Sequence, residues 1–342
     1  MPTLLTIPRE LRDKILSLIV SPYVPDPQDI SDSSNRAILD DFQSVSPYFH
    51  GDNVLYIEHP KQTDTASLLL VNRQLHTETL DAIHILPTKH SYILDLMIAE
   101  EHNLWPTWLY APALTTRVDR VYCQIRSIGF PTHKRGLFSG GCGGPPAMTW
   151  ALFNLIERFL NVGPVGRQAE IKDKQFSIKE LIIDVRTPDV DPELIAPERT
   201  PAMGSGRRDF GAYGSREKSA SETPLMRHPK GIAIYIARDL KFIMEMIGDY
   251  GVNGGIMFER VGSVKVLVDG EPFTDSAWEE VVVSEWDVAD VLAKMEYRGY
   301  WGDWKTSRWS DDQKREAYNQ WVEGVYKSRV ELGLPVKPKV LE

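Results

Sequence analysis

Cysteine is scarce in this chain, with only Cys123 and Cys142 among 342 residues. Two thiols cannot build the disulfide framework of a secreted scaffold, so a reducing compartment, cytoplasmic or nuclear, is the expected setting. Long apolar runs are also missing. Spanning a bilayer takes roughly 18 consecutive apolar residues, and the first apolar stretch is interrupted by Arg9, Glu10, Arg12, Asp13 and Lys14. No signal-peptide core and no membrane partner are expected. Nor is there a basic excess, since 48 Asp and Glu outnumber 39 Lys and Arg and leave a net charge of -9. Wholesale binding to phosphate backbones needs clustered positive charge, so nucleic acid is not an expected partner.

Motifs that carry chemistry are equally thin. Two isolated cysteines give no zinc-type spacing, and the histidines form no H-E-x-x-H pattern. His76 and His84, eight apart on one helical pattern, fall about 80° apart around the axis and lack further donors, so they read as ordinary histidines rather than metal ligands. The run Ser139-Gly140-Gly141-Cys142-Gly143-Gly144 is followed by Pro145 and Pro146. A phosphate-cradling loop needs Lys and Ser or Thr there, and a cysteine nucleophile needs a positioned base, so a flexible loop is the reading adopted. No nucleophile elbow, dinucleotide fingerprint or kinase motif set occurs. No cofactor, metal or catalytic residue is assigned, and a non-catalytic reading is preferred. A small-molecule enzyme with a dispersed active site in an α/β domain is the alternative.

What the chain does contain is alternating helical and strand patterning. Ile7, Leu11, Ile15, Leu18 and Ile19 recur at helical spacing, with Pro8 suited to the first helical position and Glu10 to the first turn. Residues 24–64 are acidic, polar and proline-punctuated, and read mostly as an inserted loop. In a second helix, Leu68, Val71, Leu75, Thr79, Ala82 and Leu86 form one face. Strands are predicted over 92–98, 118–128, 180–185 and 263–268, and helices over 148–160 and 232–247. That alternation is the pattern of crossover units around a largely parallel sheet. The expected fold is therefore α/β: N-terminal helices over residues 1–90 with an acidic insertion, then an irregular sheet or degenerate repeat domain over 91–335. An insertion at about 187–229, rich in Pro, Gly, Ser and Arg, is expected to be mobile.

Tryptophan and tyrosine crowd the C-terminal region. Ser310 and Gln313 have the form of a capping box, so a helix should start there, with Tyr318, Trp321 and Val325 as its apolar stripe, Lys327 and Arg329 in its last turn, and Gly333 and Pro335 ending it. Trp301 and Trp304 flank Gly302 and Asp303 in an expected loop and are the candidate target-binding residues, because Trp combines large contact area with a polar tip.

The N-terminal motif, Leu5, Ile7, Pro8, Glu10, Leu11, Ile15 and Leu18, followed by the leucine-rich stretch LLLVNRQLHTET, resembles a group of mostly uncharacterised fungal F-box-like proteins. The resemblance covers roughly the first 90 residues. It implies that these helices dock on a Skp-type adaptor of a cullin-RING ubiquitin ligase through Leu5, Ile7, Pro8, Leu11, Ile15 and Leu18, while the rest of the chain recruits an unknown protein target. This chain departs from the pattern in its long acidic insertion and in having Val71-Asn72-Arg73-Gln74-Leu75 where a Cys and Trp pattern is usual. A scaffold without ligase assembly, or helices that simply cap the α/β domain, are the other readings of the same residues.

Overall fold

The computed structural model describes residues 4–20, 23–39, 53–58, 64–86, 91–111, 115–132, 136–138, 146–164, 173–198, 225–244, 251–275, 282–297 and 308–339. Helix α1 (Arg9–Val20) opens the chain. Pro8 sits just outside it, its carbonyl accepting from Leu11 N and Arg12 N, both at 3.1 Å, so the proline caps the helix rather than occupying its first turn. In the described part of the stretch expected to be a loop, β1 (Arg36–Ala37) and β2 (Tyr56–Ile57) pair as a short ribbon, and Leu39, Val54 and Tyr56 are buried in the main core. The predicted second helix is two helices, α2 (Asp64–Val71) and α3 (Arg73–Ile85). Asn72 separates them. Its backbone is extended and its side chain accepts from Leu75 N at 2.9 Å, a capping bond that competes with helix continuation.

The remainder is mixed α/β, built on a mostly parallel sheet. In chain order the elements are β3 (Ser91–Ala99), β4 (Asn103–Tyr110), β5 (Arg117–Ile128), α4 (Ala147–Val162), β6 (Ser177–Arg186), α5 (Pro229–Met244), α6 (Gly251–Arg260), β7 (Val261–Val268), β8 (Glu271–Pro272), β9 (Thr274–Asp275), β10 (Val282–Val283), β11 (Glu285–Asp287), α7 (Val288–Ala293) and α8 (Asp311–Glu331). The strand order is β11-β7-β6-β5-β3-β4; β3, β5, β6 and β7 run parallel, and β4 and β11 close the edges antiparallel. Strand β4 had no sequence signal because Pro106 lies inside it. An edge strand tolerates proline, whose missing N–H costs no ladder bond on the outer side.

One face of the sheet is apolar. Val121, Cys123 and Ile125 of β5, Leu181, Ile183 and Val185 of β6, and Val264 and Val266 of β7 join residues of α4, α5 and α6 in one buried cluster. Phe159 of α4 is a centre of that packing, against Tyr92 edge-on at 6.3 Å, Trp108 at 5.0 Å and Phe176 at 5.4 Å. Helix α6 escaped the sequence pattern because its first turns are glycine-rich. Those glycines allow close approach: a Cβ on Gly254 would lie 2.3 Å from the Ile243 carbonyl oxygen, and one on Gly255 would meet Trp321 Nε1 at 3.3 Å.

The capping box of α8 is present in full, with Ser310 Oγ accepting from Gln313 N and Gln313 Oε1 accepting from Ser310 N. Tyr318 and Val325 are buried as the stripe predicts, Trp321 only partly, against Phe258 and Tyr318. Arg329 does not serve as an exposed last-turn cation. It is fully buried and donates to the carbonyls of Phe258, Val261 and Pro335, tying α8 to the α6–β7 junction, and burial pulls its guanidinium down to about 10.

On the other face, residues 23–36 form a strap over β3 and β4. Val24 N donates to Leu109 O, and Arg36 donates to Thr107 Oγ1 and Pro106 O while lying over the Trp105 ring. Arg126 of β5 grips Asp95 through both carboxylate oxygens, at 2.6 and 2.9 Å, and reaches Pro27 O at 2.8 Å. Asp95 is fully buried, and desolvation raises its carboxyl above the usual range despite the arginine.

Candidate docking face

Among the described residues, helices α1, α2 and α3 form a small unit whose buried apolar cluster is Leu16, Val20 and Ala82, with Leu68, Ile83 and Leu86 packed around it and Leu75 of α3 buried as well. An ion pair does the rest. Arg12 donates from Nε and Nη2 to the two oxygens of Glu78, at 2.8 and 2.7 Å, and from Nη1 to Ile7 O at 2.5 Å, so one buried guanidinium joins α1, α3 and the chain before α1. Gln74 adds a bond to Glu78 at 3.0 Å. The Arg12 hydrogen bonds hold the Glu78 carboxyl down at about 2. At the rim, Arg9 pairs with Asp81 at 2.9 Å.

The inward face of α1 is therefore Arg12, Leu16 and Val20, not the stripe that the apolar spacing predicts. At 100° per residue, Leu11, Ile15 and Leu18 lie about a third of a turn away from the inward set. They point outward: Leu11 is 52% and Leu18 is 73% exposed, and Ile15, Leu5 and Pro8 are also exposed, with Ile7 partly buried beneath them. Thus all six residues named for docking sit on one short segment, and five are exposed. The same unit exposes further apolar side chains that sequence reasoning missed, Leu70 at 86%, Ile85 at 78%, and Val71 and Leu80. The apolar spacing puts Val71 on one face with Leu75 and Ala82 of a single continuous helix, and the break at Asn72 removes it from that face. The run Leu68-Leu69-Leu70-Val71 held the clue, since four consecutive apolar residues of a helix cannot all face inward.

Other sequence candidates do not converge. His76 and His84 are exposed, and His76 Nδ1 lies 2.8 Å from Leu69 O. Cys123 is buried in the sheet core, where desolvation pushes its thiol far up and leaves it unreactive. Among the described residues no group of three or more His, Cys, Asp and Glu could hold a metal ion, and no helix is long and apolar enough to cross a membrane. Trp301, Trp304, the glycine run at 139–144 and most of the insertion at 187–229 lie outside the described residues.

A buried polar trio joins α4 to α5. Thr149 Oγ1 lies 2.8 Å from Tyr235 Oη and donates to Asp239 Oδ2. Asp239 is 3% exposed, and burial raises its carboxyl to about 6.

Fold and surface together define a mixed α/β protein with a mostly parallel sheet and an N-terminal helical unit that turns an apolar stripe outward. No family model, no curated protein and no solved structure matches the chain.

Proposed function

We propose that this chain is a cytoplasmic or nuclear protein-interaction module, an F-box-like adaptor whose α1–α3 unit docks on a Skp-type adaptor of a cullin-RING ubiquitin ligase while the α/β part recruits a protein target. The observation that carries the reading is the outward stripe of α1. Leu11, Ile15 and Leu18, with Leu5 and Pro8, are spared by the protein's own core, which uses Leu16 and Val20 instead. An amphipathic helix that leaves its regular apolar spacing in solvent has the geometry by which helices enter a partner's groove, with anchors at i, i+4 and i+7. The buried Arg12–Glu78 pair supports the reading too, because it holds α1 in place without spending the apolar stripe.

The test is co-purification of the full chain with a Skp-type adaptor. Wild type should retain the adaptor, and Pro8→Ala combined with Leu11→Asp should release it while the circular-dichroism melt stays put. Wild type that retains no adaptor, or a folded variant that retains it undiminished, ends the adaptor reading. A different partner held through the same residues would make the chain a scaffold without ligase assembly.

A further inference from the structure

Among the described residues, the second face of the sheet is only half covered. The strap lies over β3 and β4 and reaches Arg126 near the end of β5, whereas the rest of this face on β5, β6, β7 and β11 carries Arg120, Tyr122, Glu180, Ile182, Lys265 and Glu285, all exposed or only partly buried. Parallel sheets ordinarily have both faces covered. Across the open part runs a row of charges on four neighbouring strands: Arg120 to Glu180 at 2.9 Å, Glu180 to Lys265 at 3.0 Å, and Lys265 to Glu285 at 3.1 Å. The signs alternate, positive, negative, positive, negative. A row of that form is its own complement when reversed. A two-fold axis perpendicular to the row, through its midpoint, sets Arg120 opposite a second copy's Glu285 and Glu180 opposite a second copy's Lys265, and symmetry makes each pairing twice.

We propose that this face is an isologous interface on which a second copy of the chain docks, sheet against sheet. Tyr122 and Ile182 supply apolar contact, and the charge row favours the centred register, since a shift by one strand sets like charges opposite each other and a shift by two leaves only two of the four cross pairs. Four strands about 4.8 Å apart and about 20 Å long give roughly 300 Å² per copy. That is well below the ~800 Å² per partner of a standard stable interface, so the dimer is weak, depends on concentration and loosens in salt. The interface is separate from the outward stripe of α1 and does not depend on adaptor docking.

Sedimentation equilibrium of the full chain, from micromolar toward millimolar concentration, reads the association directly. Wild type should show a monomer–dimer equilibrium that moves toward monomer in high salt. Arg120→Glu should weaken it by about tenfold or more, because symmetry removes two cross pairs at once. Adding Glu285→Arg should restore it, since two negatives followed by two positives are again self-complementary. Leu18→Asp should leave it unchanged. A chain that stays monomeric throughout, a dimer indifferent to Arg120→Glu, a double variant that fails to recover, or loss on Leu18→Asp overturns the proposal. Carbodiimide cross-linking of wild type mixed from light and heavy isotopes needs no variant to fold. Mixed-isotope Lys265–Glu180 peptides are the expected product, and their absence also overturns it.

Discussion

In β5 the apolar alternation Val121, Cys123 and Ile125 turns inward and is buried, whereas in α1 the apolar spacing Leu11, Ile15 and Leu18 turns outward while Leu16 and Val20 are buried. Both patterns are regular. They differ in what surrounds them: β5 lies between β3 and β6 with helices on one side, so only one face of the strand can be the dry one. Helix α1 carries apolar residues on two faces and packs on α2 and α3, so which face is buried depends on where Glu78 and Ala82 lie. Periodicity identifies a helix or strand and its faces, but it does not say against what each face packs.

Four experiments test this contrast between a sheet held by its core and a helical unit held by an ion pair. The largest effect is expected from Phe159→Ala, which opens a cavity among Tyr92, Trp108 and Phe176 and should cost about 4 kcal/mol in urea unfolding. Next comes Glu78→Ala, which leaves Arg12 without its buried counterion. About 3 kcal/mol should be lost, and hydrogen exchange should show it in α1 and α3 with the sheet amides unaffected. Equal loss of protection in both regions would show that the two are one cooperative unit.

The two regions should also answer pH with opposite sign. Asp239 has its folded carboxyl raised from 3.8 to about 6, so its native state favours the proton. Stability from this group is full below about pH 4 and falls as pH rises through 6, by about 3 kcal/mol in total. Asp239→Asn should therefore stabilise the sheet domain at neutral pH by about 2 kcal/mol and change little at pH 4, read from urea midpoints. Glu78 is held at about 2, below its usual 4.5, so its contribution is full above that usual value and is lost as pH falls toward 2. Acid should thus loosen α1–α3 while it favours the α4–α5 joint. The smallest effect is expected from Leu18→Asp, within about 0.5 kcal/mol of wild type, because an exposed side chain has little packing to lose. A large drop would mean that Leu18 is buried in solution, and the docking face would lose its central residue.

Much of the fold was legible in the chain. Strands β3, β5, β6 and β7 follow from alternation bounded by turn residues, and the start of α8 from the reciprocal bonding available to Ser310 and Gln313, because those signals are local. The parts that escaped depend on distant neighbours. Pro106 is tolerated because β4 ends up at a sheet edge, and the glycines of α6 fit because Ile243 and Trp321 crowd them. Arg329 looks like a surface cation at a helix end, and its burial follows only from the carbonyls that α6 and β7 bring to it.

The same division runs through the candidate docking face. Sequence alone determined that α1 is a helix with a regular apolar stripe and that the chain lacks recognised metal and nucleotide motifs, because spacing and composition are properties of the chain itself. Only the tertiary structure decided that the stripe faces out. That outcome rests on Arg12 finding Glu78 sixty-six residues away and on Leu16 and Val20 packing with Ala82, and helical spacing within α1 cannot anticipate either contact.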